Sequence, residues 1–202
     1  MSRAACRVAI ACVLVAETAF SLDLDVTSAD IEAVLKVARS EGDGRILFHQ
    51  PYVFPVDHPV VERVEAITET RRLMLIAESR IAAGEPLFAQ GLIPATEALK
   101  PWRRRVAIVA VLRFGPQGAF VTAPPVDIQL GAKPGELTRL DIKSESEFGL
   151  PSRNPSDSLP VVGARAEALF DAVAVGQSVR TAIVRLQQEE LVRVSIDFRR
   201  FP

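Results

Sequence analysis

The feature that most constrains this chain is a change in hydrophobic period near Trp102. Before it, apolar residues recur at helical spacing; after it, they alternate as in strands. One sequence with both periods, in that order, reads as an α+β fold. The expected architecture is a set of N-terminal α-helices, one of them long and central, packed on a C-terminal antiparallel β-sandwich. The expected organisation is a signal peptide over 1–21, a helical part over 22–102 and a sandwich-like part over 103–202.

The first twenty-one residues set the chemical context. Arg3 and Arg7 form a basic region, Val8 to Ala16 is an unbroken apolar run, and Ala19-Phe20-Ser21 places small residues at the −3 and −1 positions of a cleavage site. That is the layout of a secretory signal. The run is shorter than the roughly 20 apolar residues needed to span a bilayer, so no transmembrane segment is expected in the mature chain. Cys6 and Cys12 are the only cysteines, and both fall inside the signal. Cleavage near Ser21 leaves no disulfide and no thiolate chemistry, and the fold must rest on its hydrophobic core. An alternative makes Cys12 the lipidated residue of an envelope anchor, although the apolar run continues past it.

Removing Arg3, Arg7 and Glu17, a net +1, takes the formal charge from −1 to −2. Such a balance is no footprint for nucleic acid. Arginine outnumbers lysine, and Asn154 is the sole asparagine, a bacterial type of composition. The expected location is the periplasm or the extracellular space.

Along the mature chain, Thr27 and Asp30 form a capping box before a helix with Ile31, Val34, Leu35 and Ala38 on one face, ended by Gly42 and Gly44. Pro51 and Pro55 predict an extended run over Phe48 to Val56. The longest helix is expected from Pro59 to Ala83, with Val60, Val64, Ile67, Met74, Leu75 and Ala82 on one face and Gly84 as its stop. A short helix from Pro94 to Lys100 follows. Val106 to Phe114, Ala119 to Leu130 and Leu137 to Lys143 read as strands, and Ser144 to Pro160 as a surface loop. Val161 to Val173 suits either period and is assigned as strand because its surroundings are β. Thr181 to Leu186 and Leu191 to Phe198, around the polar turn Gln187 to Glu190, read as a hairpin.

The candidate site residues are Arg71, Glu78, His49 and Tyr52. Arg71 and Glu78 fall within the apolar stripe of the expected long helix, where an ion requires a partner. They offer either an anion-binding group with a partner base or a structural ionic link to the β part. His49 and Tyr52 lie in the extended segment before that helix. A metal set joining His49 and His58 to Asp57 or Glu62 matches no zinc spacing, so no metal and no cofactor are assigned. An acidic stripe of Glu62, Glu65 and Glu69 with Arg72 reads as a solvated face. The cluster Lys100, Trp102, Arg103, Arg104 and Arg105 reads as a junction entering a strand. No serine sits in a G-x-S-x-G elbow, and no catalytic residue is assigned.

The chain therefore reads as an extracytoplasmic binding or interaction module with an unidentified protein or small-molecule partner in the cell envelope. Two alternatives stay open: an enzyme with a carboxylate and histidine site in the groove between helices and sheet, and a lipid-anchored envelope component.

Overall fold

The computed structural model describes residues 26–85, 88, 91–115, 123–133, 135–149 and 159–201. The signal-like segment and most of the loop after Phe148 lie outside these residues, as do 119–122 of the second expected strand. The described chain is α+β. Its elements are α1 (Ser28–Ala38), α2 (Gly44–His49), β1 (Val53–Pro55), β2 (Val61–Ile67), α3 (Glu69–Ala82), α4 (Leu92–Leu99), β3 (Arg105–Arg113), β4 (Val126–Gly131), β5 (Arg139–Phe148), β6 (Val161–Asp171), α5 (Ala172–Val175), β7 (Val179–Leu186) and β8 (Glu189–Asp197). The strands form two antiparallel sheets, a five-stranded one in the order β1-β2-β3-β6-β5 and a three-stranded one in the order β4-β7-β8.

One buried cluster joins the two sheets. It takes Val64 and Ala66 from β2, Ile108 and Ala110 from β3, Ala166, Ala168 and Phe170 from β6, Ile128 and Leu130 from β4, Val184 from β7 and Ile196 from β8, with Phe198 and Phe201 beyond the last strand. A second cluster joins Ile31, Val34 and Leu35 of α1 to Leu73, Met74 and Ala77 of α3 and Ala95 and Leu99 of α4. Small residues on β6 let neighbouring strands approach: a side chain at Gly163 would meet the Leu112 carbonyl oxygen at 2.7 Å. None of the described helices is long and apolar enough to cross a membrane.

The capping box is present as expected: the Thr27 hydroxyl accepts from the Asp30 amide, and the Asp30 carboxylate accepts from the Thr27 amide. The expected apolar face of α1 is buried, but the helix stops at Ala38, and Gly44 opens α2 instead of closing α1.

The long helix from Pro59 to Ala83 is two elements. Val61–Ile67 is a strand and only Glu69–Ala82 is helical, because Thr68 breaks the pattern and caps α3 by accepting from the Arg71 amide. The misleading period has a local cause. The register of β2 against β3 shifts between Val61 and Arg63. That bulge puts Val61 and Val64, three apart, in the same core. Gly84, at φ +81°, ends the helix as expected.

Phe48–Val56 is extended only at Val53–Pro55. Pro51 sits early in a 3₁₀ turn, where its missing amide costs nothing. The strand expected over Leu137–Lys143 continues to Phe148, so Ser144–Phe148 is strand and not loop. Its polar side chains belong to a sheet edge exposed on both faces. Val161–Asp171 is a strand, as expected, followed by the single turn α5. The C-terminal hairpin closes more tightly than expected, through Gln187 and Gln188 at φ 49° and 77°, the backbone of a two-residue primed turn. Nor does the change of period at Trp102 separate helix from strand: β1 and β2 precede it and pair into the same sheet as β3.

Phe170, 1 % exposed, lies in the shared core, whereas Ile93 is 77 % exposed on α4. Phe170→Ala is expected to cost about 3–5 kcal/mol and Ile93→Ala less than about 0.5 kcal/mol, as read from urea denaturation midpoints. Equal losses would contradict this placement of the core.

Candidate functional site

The first turn of α3 lies over the end of β2, and there the sequence places Arg71. Its guanidinium is buried and fully engaged on one side: Nη1 donates to the carbonyls of Tyr52 (3.1 Å) and Ala66 (2.7 Å), and Nη2 to Oε2 of Glu65 (2.7 Å). It also lies 5.4 Å from the Tyr52 ring centroid. Glu65 is the hub. Its other oxygen accepts from Arg63 Nε at 2.8 Å, and Arg165 on β6 stands 3.9 Å away. Burial raises the Glu65 carboxyl, but the Arg63 hydrogen bond and the charges of Arg71, Arg165 and Arg63 outweigh it and hold the group below the ordinary glutamate value. The acidic stripe read as a solvated face is thus partly buried: Glu65 is 5 % exposed and Glu69 4 %.

Glu78, two turns further along α3, does not meet Arg71. It pairs with His49 Nε2 at 3.0 Å and fastens α2 to α3. The four expected site residues are therefore brought together as two neighbouring pairs, Arg71 with Tyr52 and Glu78 with His49. Tyr52 stacks on Phe201 with centroids 4.8 Å apart. His58 caps its own turn, its Nδ1 accepting from the amides of Val60 (3.1 Å) and Val61 (3.2 Å) at the entry to a strand. The two histidines thus take separate partners.

One of the concavities among the described residues lies on the other face of the five-stranded sheet, away from the shared core. Its register produces three rows. Arg63, Val111, Arg165 and Glu145 form one; Glu65, Val109, Glu167 and Lys143 the next; Ile67, Ala107, Leu169 and Asp141 the third. Ala107 and Val109 on β3 are buried in these rows, and the open part of the face lies over β5 and β6. A groove of about 180 Å³ results, lined by Trp102, Asp141, Lys143, Glu145, Arg165, Glu167 and Leu169.

One end of the groove is anchored from the helices. The Arg72 guanidinium lies 4.0 Å from the Trp102 ring centroid and also donates to Glu167. Of the expected basic junction, Arg103 reaches Glu69 (3.7 Å) and the Val26 carbonyl (3.4 Å), the Arg104 amide donates to Glu69, and Lys100 pairs with Glu97 (2.7 Å). That cluster ties the helices to the start of β3, and only Trp102 turns toward the groove.

Sequence reading missed the groove. Its signal was present as the alternations Asp141-Lys143-Glu145 and Arg165-Glu167-Leu169, which become two walls only once both segments are known to be adjacent strands. Comparison with protein-family models, curated proteins and solved structures finds no match.

Tyr52 is the only tyrosine of the chain, so tyrosinate absorbance reads this residue alone. Burial pushes its phenol up to about 12 from 10.0, against the smaller opposing effects of the neighbouring Thr68 side chain and the Arg71 charge. A phenol raised in the folded state supports folding below its unfolded value and loses that support as pH climbs toward the folded one. The native absorbance titration is expected near pH 12, and Tyr52→Phe should weaken the loss of stability between pH 10 and 12. A native midpoint near 10 would contradict the buried placement.

Proposed function

We propose that the protein is an extracytoplasmic binding module, and that the groove on the outer face of the five-stranded sheet is its binding surface. The two facing sheets act, in this reading, as a sandwich-like scaffold. The observation that carries the reading is the groove's lining: opposite charges on adjacent positions of two strands, with Leu169 and the Trp102 indole beside them. Side chains fixed on strands hold their spacing better than loop residues. Lys143 and Arg165 suit a carboxylate or other anionic group, Asp141 and Glu145 an ammonium or hydroxyl groups, and Trp102 with Leu169 an apolar moiety between them. The ligand class that fits is small or extended, of mixed charge, with a short apolar part, such as a peptide segment.

The N-terminal pattern of Arg3, Arg7, Val8 to Ala16 and Ala19-Phe20-Ser21 supports an envelope or secreted setting. Arg71, one of the expected ligand-binding residues, serves this reading indirectly. With Glu65 and Arg165 it sets the position of one wall of the groove.

A photo-reactive residue installed at position 165 in the producing cell is expected to give adducts with an envelope component, and the same residue at the exposed Glu32 of α1 is not. Asp141→Lys should reduce the adducts at least several-fold. The intact mass of the product should correspond to a chain starting at Leu22. Equal adducts at both positions, or adducts indifferent to Asp141→Lys, would overturn the groove reading. A retained N-terminus or a lipid on Cys12 would overturn the soluble envelope setting.

A further inference from the structure

The free side of β5 is a long exposed edge. This strand has ten residues, about twice the usual length, and ends the five-stranded sheet: among the described residues, no strand pairs with its other side. Exposed edges of that length are usually shortened, covered or occupied. β4 approaches only its beginning, through the Leu137 amide on the Leu130 carbonyl (3.3 Å) and Arg139 on Asp127.

We propose that β5 pairs antiparallel with β5 of a second copy about a two-fold axis at Ser144, joining two five-stranded sheets into one. The argument is self-complementarity along the edge. An antiparallel pairing centred on Ser144 sets Lys143 opposite Glu145 of the second copy, and Glu145 opposite its Lys143. These charges share the outer face, on which Lys143 lies beside Glu167 and Glu145 beside Arg165 in the sheet. Neither Lys143 nor Glu145 is closed into an ion pair within 4 Å among the described residues.

The same axis brings Leu140, which stands at the bulge between Arg139 and Asp141, level with Phe148 of the second copy, and Phe148 level with its Leu140. These are the two large apolar residues of β5 that are more than half exposed, at 55 % and 56 %. Ile142 then meets Ser146. Asp141 against Glu147 is the one unfavourable match, near the two ends. A shift of the axis to Lys143 would place lysine against lysine and Asp141 against Glu145, whereas a shift to Glu145 would set glutamate against glutamate on the axis and part Leu140 from Phe148. The pairing is isologous and closed, which ends the sheet extension at two copies. It also brings the two grooves side by side across the axis, and it takes Lys143 and Glu145 from each rim, leaving Trp102, Asp141, Arg165, Glu167 and Leu169 to each groove.

The test uses the purified full chain in sedimentation and light scattering over a concentration series. The expected species is a dimer of twice the chain mass. Lys143→Glu and Glu145→Lys each set like charges opposite one another at two symmetric places and should weaken the dimer about tenfold or more. Mixing the two single variants restores opposite charges at both places, as does the double variant Lys143→Glu/Glu145→Lys, and each should recover the dimer. Circular dichroism melting of every variant verifies folding, and the mixing arm keeps the test decisive if one variant is weakened on its own. A monomer throughout the series would overturn the proposal. So would a dimer indifferent to both single substitutions, or single variants that fail to recover on mixing.

Discussion

The Glu65–Arg71 pair is the interaction on which the rest of the molecule depends. It sits where β2 ends and α3 begins, with five residues of chain between the partners. One guanidinium ties together the Tyr52 carbonyl before β1, the Ala66 carbonyl of β2 and the Glu65 carboxylate. A buried ion pair of this kind gives little net stability compared with an apolar substitute, but losing one partner strands the other charge away from water. Its contribution is therefore positional. It fixes how the helical layer leaves the sheet, and through Arg63 and Arg165 it reaches the outer sheet face.

That positioning shapes the groove. The helix that Arg71 anchors also presents Arg72, which lies against Trp102 and holds Glu167. Ala107 and Val109 on β3 are buried, and β5 with β6 supplies the open part of the face. A sheet face half covered by helices and half open explains both the apolar cluster of Ile67, Ala107, Val109 and Leu169 and the charged positions beside it. The exposed edge of β5 and the groove are two consequences of one topology: β5 is last in the sheet, with no described strand beyond it.

What was legible in the sequence followed from local rules. The capping box at Thr27, the C-terminal hairpin and the strand over Val106 to Phe114 are set by residues close together in the chain, and the structure has them within a residue or two. The long helix failed because a bulge inserted one residue into β2 and spaced Val61 and Val64 by three, as a helix would. Ser144 to Phe148 failed because an edge strand exposed on both faces needs no apolar alternation. Spacing places Arg71 and Glu78 on one helix face, yet the buried partner of Arg71 is Glu65 and not Glu78. Strand-to-helix geometry, which spacing on one helix cannot express, decides that choice.

The central claim is that Glu65 and Arg71 act as one unit. A double-mutant cycle measured by urea denaturation, with Arg71→Met, Glu65→Met and the two combined, tests it most directly. The account predicts that each single substitution costs about 3–5 kcal/mol and that the double variant is more stable than the sum of the two losses implies, by about 2 kcal/mol. Single losses that simply add in the double variant would contradict it.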